Sequence, residues 1–124
     1  MQLNKAMLFV SDLPRMTAFY ADALGFRIIP ETRLENYVEF DTGGAEFALH
    51  LIPLAARCEP APEGTPVQPR ERGGIKLIFT TSDVAAEVQR LEKLGVTILR
   101  RPWGGCDGVD PEGNVFGFFE ERSA

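Results

Sequence analysis

His50 is the only histidine in the chain. A single imidazole serves as an acid or base near neutral pH, or as a hydrogen-bonding group for a ligand. It cannot hold a metal alone, so Glu46, Glu39 or Cys106 would have to converge with it. The plainer alternative is a sheet residue satisfied by a neighbour or by water. The two cysteines, Cys58 and Cys106, show no CxxC spacing and are too few for a four-cysteine zinc site. Cys106 stands beside Asp107 with no histidine at a spacing that would make it a nucleophile. Trp103, in the loop Pro102-Trp103-Gly104-Gly105, is placed either to stack on a flat ligand or simply to pack. Arg100-Arg101 and Glu120-Glu121 read as solvated strand ends.

Chain length and composition narrow the classes that can use such groups. At 124 residues, with 44% hydrophobic and 25% charged residues, the sequence is that of one ordinary globular domain able to bury a core. Apolar runs are too short to cross a bilayer, and MQLNKAMLFV lacks the pattern of a signal peptide, so no membrane partner is expected. The net charge of −5, with no Lys/Arg cluster, argues against nucleic acid. With so few cysteines, a reducing cytoplasm is the expected compartment.

The elements that must position these residues follow from periodicity. A strand is expected over Leu3–Val10 and a helix over Leu13–Leu24, capped by Ser11-Asp12 and stopped by Gly25. Strands follow at Phe26–Pro30, Tyr37–Asp41 and Glu46–Ile52. From Pro53 to Gly74 the chain is rich in proline, Pro60 included, and reads as a connector. A strand Ile75–Thr81, a helix opened by Ser82-Asp83 and stopped by Gly95, and strands Val96–Leu99, Cys106–Val109 and Val115–Glu120 complete the chain.

The two ordered halves repeat one another. Leu8-Phe9-Val10-Ser11-Asp12-Leu13 leads to a helix ending Leu24-Gly25-Phe26, and Phe79-Thr80-Thr81-Ser82-Asp83-Val84 to one ending Leu94-Gly95-Val96. With Phe19-Tyr20 in the first half and Asp110-Pro111-Glu112-Gly113-Asn114 in the second, the pattern resembles the vicinal oxygen chelate superfamily. That is the group of glyoxalases, bleomycin resistance proteins and extradiol dioxygenases. The resemblance covers nearly the whole chain except the connector. It implies an α+β fold of two βαβββ modules forming curved mixed sheets around a cavity, and commonly a homodimer. The module bounds are about 1–53 and 75–124, joined by a connector of about 54–74 in a single domain.

The resemblance also implies four metal-ligand positions, typically His, Glu, His and Glu. Counted from the motifs, they fall on Lys5, on Ala48 or Leu49, on Lys76 and on Gly117. None is a usual ligand, because a protonated lysine has no lone pair. No cofactor is therefore expected, and a divalent metal would need a nonstandard site. Two ammonium groups entering one cavity would favour an anion, unless each reaches water at a strand end. If Gly117 faces the cavity, alternation brings Val115 and Phe119 there, and by the repeat Ala48, His50 and Ile52. Phe9 and Met7 should share the face of Lys5. Tyr37 and Glu39 share a face with each other, toward cavity or solvent.

The expected function is metal-free binding of a small molecule, anionic or aromatic. Lys5, Phe9, His50, Lys76, Trp103 and Phe119 are the candidate ligand residues, and His50 is the candidate catalytic group. The rival is a metal-dependent or His50-assisted lyase, isomerase or dioxygenase of the glyoxalase type.

Overall fold

The computed structural model describes residues 1–57, 59 and 62–121. Cys58 and Pro60 therefore lie outside the described residues. The chain divides into two compact units, Met1–Thr65 and Pro66–Ala124. Each carries one four-stranded mixed sheet with a short helix.

In the first unit β1 (Lys5–Val10) leads to α1 (Leu13–Ala18), and β2 (Arg27–Ile28), β3 (Tyr37–Asp41) and β4 (Glu46–Leu51) follow in the order β1-β4-β3-β2. The β1–β4 pair is parallel and the others antiparallel. Asp12 caps α1 by accepting from the Arg15 amide at 3.1 Å. The expected single helix to Leu24 is instead α1 continued by a π-helical turn, Phe19–Ala23. There the Leu24 amide bonds to the Phe19 carbonyl at 3.1 Å, and Gly25 ends the turn at φ +79°. This wider turn accompanies the burial of Tyr20, whose ring meets Phe47 edge-on at 4.9 Å. Met16, Val38, Phe40 and Leu49 complete this core. β2 is shorter than expected because Pro30 opens a 3-10 turn, Pro30–Thr32.

The second unit repeats the plan. β5 (Leu77–Thr81), α2 (Val84–Lys93), β6 (Thr97–Arg100), β7 (Cys106–Val109) and β8 (Val115–Glu120) give the order β5-β8-β7-β6. Asp83 caps α2 through the Ala86 amide at 3.0 Å, and Gly95 takes φ +86° at its end. Glu120 is more than a solvated terminus, since its carboxylate accepts from the Val84 amide at 2.9 Å. Val88, Leu91 and Phe116 are buried, and Phe79 and Phe118 pack on the Phe116 ring. Phe116 stands opposite Gly108, where a Cβ would lie 2.3 Å from the ring, so a glycine is what admits it.

The expected connector is not uniform. Leu54–Ala56 forms a 3-10 turn, and Arg57 Nε donates to the Ile52 carbonyl at 2.8 Å. Further on, the Arg70 amide bonds to the Gly113 carbonyl at 2.8 Å, so this part of the chain is held by the second unit.

Candidate functional site

The first unit places Lys5, Met7 and Phe9 of β1 opposite Glu46, Ala48 and His50 of β4. Tyr37 and Glu39 of β3 stand opposite His50 and Ala48. All eight therefore share one sheet face, while Val10, Val38, Phe40, Phe47 and Leu49 belong to the buried core. The alternation expected for β1 and β4 holds, and the face of Tyr37 and Glu39, open in the sequence, is that of Lys5 and His50.

Lys5 does not stand free on this face. Its Nζ lies 2.6 Å from Glu39 Oε2, donates to Tyr37 Oη at 3.0 Å, and lies 3.8 Å from Glu46 Oε2. The bridge spans β4, which lies between β1 and β3 and there carries Glu46 opposite Lys5 and the fully buried Ala48 opposite Glu39. The bond to Glu39, then that to Tyr37, hold the lysine pKa well above its ordinary value. Lys5 is thus a fixed cation and no nucleophile. The same bond to Lys5 holds Glu39 below its ordinary value of 4.5, against the effect of burial.

These shifts have a pH consequence. Glu39 is depressed, so the pair stabilises fully above pH 4.5 and its contribution is lost as pH falls through the folded value. Lys5 is raised, so its side of the pair is intact below pH 10.5. Between about pH 5 and pH 3, Glu39→Gln is expected to lose less stability than the parent chain. Urea midpoints across that range check it; parallel losses in both proteins would remove Glu39 from the acid response.

The half-buried His50 lies beside the Phe9 ring (centroids 5.7 Å apart) and the Tyr37 ring (6.0 Å). Its Nδ1 is 2.8 Å from the Leu51 carbonyl oxygen. A carbonyl only accepts, so Nδ1 carries the proton, and in the neutral ring Nε2 is left with its lone pair.

The second unit repeats the lysine device. Lys76, just before β5, reaches Asp107 of β7 with Nζ 2.9 Å from Oδ1. Between them stands Gly117 of β8, opposite Ile78 and Asp107. A Cβ at Gly117 would lie 2.8 Å from Ile78 Cδ1, 3.1 Å from Lys76 Cε and 3.3 Å from Asp107 Oδ1. Arg101 is not the solvated strand end expected: its Nε donates to the buried Asp107 at 2.9 Å, and its two terminal nitrogens hold Glu71 at 2.8 and 2.9 Å. Hydrogen bonding to Glu71 first, then to Asp107, raises the Arg101 pKa further, and the bond from Arg101 lowers that of Glu71.

The apolar candidates fall in different settings. Phe9 is 64% exposed and Phe119 61% exposed. Each lies two residues along its strand from the small residue's neighbour on the lysine-bearing face, or from the small residue itself: Phe9 follows Met7, and Phe119 follows Gly117. Trp103 lies back over its own loop, with its ring 1.7 Å from where a Gly105 Cβ would stand. That loop is closed by hydrogen bonds from Arg101 N to Gly105 O and from Gly104 N to Arg101 O. The first unit thus brings Lys5, Phe9 and His50 together, and the second brings Lys76 and Phe119 onto one face.

At the implied ligand positions the residues do not fit a divalent cation. Lys5 and Lys76 present ammonium groups to the carboxylates nearby, and Ala48 and Gly117 present no donor atom. Among the described residues no group of three or more His, Cys, Asp or Glu is placed to hold a metal. The sequence reading missed Glu39, Asp107, Arg101 and Glu71 as partners. Their signal was the lysine, acid and small residue recurring in both halves, which becomes readable only with the strand order.

Among the described residues no helix is long and apolar enough to cross a membrane. A search of curated proteins found no match. Among solved structures, an integron cassette protein from the mobile metagenome of V. cholerae aligns with TM-score 0.65 at 26% identity, covering 95% of this chain and 93% of its own. An antibiotic-binding protein from Streptomyces sp. CB03234 aligns with TM-score 0.64 at 23% identity, covering 98% and 97%. Lactoylglutathione lyase from Agrobacterium tumefaciens aligns with TM-score 0.66 at 23% identity, covering 96% and 92%. At such identities the last two share the fold alone with this chain. The sequence model of the superfamily matches residues 2–118, and its repeated βαβββ modules are those of the two units. This chain belongs to the Glyoxalase/Bleomycin resistance protein/Dioxygenase superfamily.

Proposed function

We propose that this protein binds a small organic molecule without a resident metal, on a lysine-bearing sheet face: that of Lys5, Phe9 and His50 in the first unit, or that of Lys76 and Phe119 in the second. The observation that supports this is the pair of internal salt bridges, Lys5 to Glu39 and Lys76 to Asp107. Their lysines stand at two of the positions where the resemblance places metal ligands, Lys5 at the start of β1 and Lys76 just before β5. An antibiotic-binding protein of the same fold is consistent with such a role. The reading carries with it a homodimer and a cytoplasmic compartment, as the sequence led us to expect.

The test has two parts. Protein purified without added metal or chelator is expected to contain no near-stoichiometric Zn, Ni, Mn or Fe by elemental mass spectrometry. A thermal-shift panel of small aromatic compounds is expected to give hits, since a ligand at 100 times its Kd stabilises by about 2.7 kcal/mol. Near-stoichiometric metal that His50→Ala removes would instead make a glyoxalase-type enzyme the primary reading. A second reading, metal-free catalysis with His50 as the base, is favoured by the lone pair on Nε2. Turnover of a bound compound that His50→Ala abolishes would establish it.

A further inference from the structure

We infer that the face of the first unit selects a flat aromatic molecule bearing an O–H or N–H donor, in preference to an anion, with His50 Nε2 as the accepting atom. This rests on the small-molecule reading above and specifies its ligand.

Three observations carry it. First, the bond from Nδ1 to the Leu51 carbonyl sets the tautomer, and among the described residues Nε2 has no hydrogen-bond partner. A neutral imidazole in that state offers the ligand an acceptor and no donor. Second, the flanking rings of Phe9 and Tyr37 lie within 6.0 Å of the imidazole, and Phe9 is 64% exposed. Flat aromatic surface is what such rings receive with most gain. Third, the cation on this face is already paired. The Lys5 ammonium is directed to Glu39 and Tyr37, with Glu46 close behind. An incoming anion would meet two carboxylates against one ammonium that already bonds Glu39 and Tyr37. The anionic ligand that two unpaired lysines suggested in the sequence is therefore disfavoured here.

The test compares three probes of one shape by calorimetry at a single neutral pH: 2-naphthol, 2-methoxynaphthalene and 2-naphthoate. Naphthol is expected to bind about tenfold tighter than the methyl ether, which cannot donate, with naphthoate weakest. In His50→Phe the naphthol advantage should vanish while the ether still binds, which also shows that the variant folds. Equal binding of naphthol and its ether by the parent chain, or naphthoate binding tightest, would overturn the inference. If none of the three binds while other members of the thermal-shift panel do, the inference falls and the small-molecule reading stands. An empty panel together with stoichiometric metal would sink both.

Discussion

Replacing Gly117 by glutamate is expected to destabilise the protein by about 3 kcal/mol and to leave it without a bound metal. Gly117 is the position where the family's metal enzymes carry a carboxylate on the last strand, so the substitution restores that ligand type. The surroundings oppose it. A Cβ already falls within 3.3 Å of Ile78, Lys76 and Asp107, and these must shift before the carboxylate is accommodated. The new charge would then stand beside Asp107, which is 3% exposed and already bonded to Lys76 and Arg101. Two carboxylates sharing a buried site raise the pKa of one of them and weaken the fold near neutral pH. Urea unfolding with Gly117→Ala alongside separates the two effects, the alanine variant reporting crowding alone at about 1 kcal/mol. A glutamate variant as stable as the parent, or one that takes up a stoichiometric divalent ion, would show that Lys76 is displaced at little cost. The salt bridge would then be no obstacle to metal.

Asp110→Ala is expected to cost about 3 kcal/mol or more. Asp110 is fully buried in the turn between β7 and β8. Its carboxylate accepts from the amides of Glu112 and Asn114, each at 2.9 Å, and from the Asn114 side-chain amide at 2.8 Å. Removing it leaves several donors without an acceptor in a place water reaches poorly. The turn also anchors the second unit's first residues, through the Arg70 amide on the Gly113 carbonyl. Asn114→Ala removes one of the three bonds and should cost about 1 kcal/mol. Thermal and urea unfolding of the two variants measure the difference. Equal losses would mean that the turn is held by its backbone bonds rather than by the carboxylate.

Asp110-Pro111-Glu112-Gly113-Asn114 is legible as a turn because its chemistry is local: a carboxylate reaching amides two and four residues on. The caps at Asp12 and Asp83 and the stops at Gly25 and Gly95 are legible for the same reason. β3, β7 and β8 agree with expectation to the residue, since alternation and flanking turns mark them. The π-helical turn at Phe19–Ala23 was not foreseen. Its register answers to the burial of Tyr20 against Phe40 and Phe47, which lie far along the chain.

The candidate site divides in the same way. Sequence spacing located Lys5, Lys76 and Gly117, and alternation set Phe9 and His50 on a common face, because strand period is a property of neighbouring residues. By itself, then, the sequence determined the family, the two modules, the faces of the strands and the absence of His and Glu at the implied ligand positions. It did not determine what the lysines meet. Lys5 and Glu39 are 34 residues apart and two strands apart, and only the order β1-β4-β3 brings them together across β4. Arg101 and Glu71 are joined across 30 residues, which turned an expected solvated arginine into part of a four-charge network. Charge pairing across a sheet depends on which strands are neighbours, and that is decided by packing the whole module rather than by any local pattern. Tertiary structure therefore decided the electrostatic character of the site, changing two free cations into two closed salt bridges with His50 Nε2 left to accept.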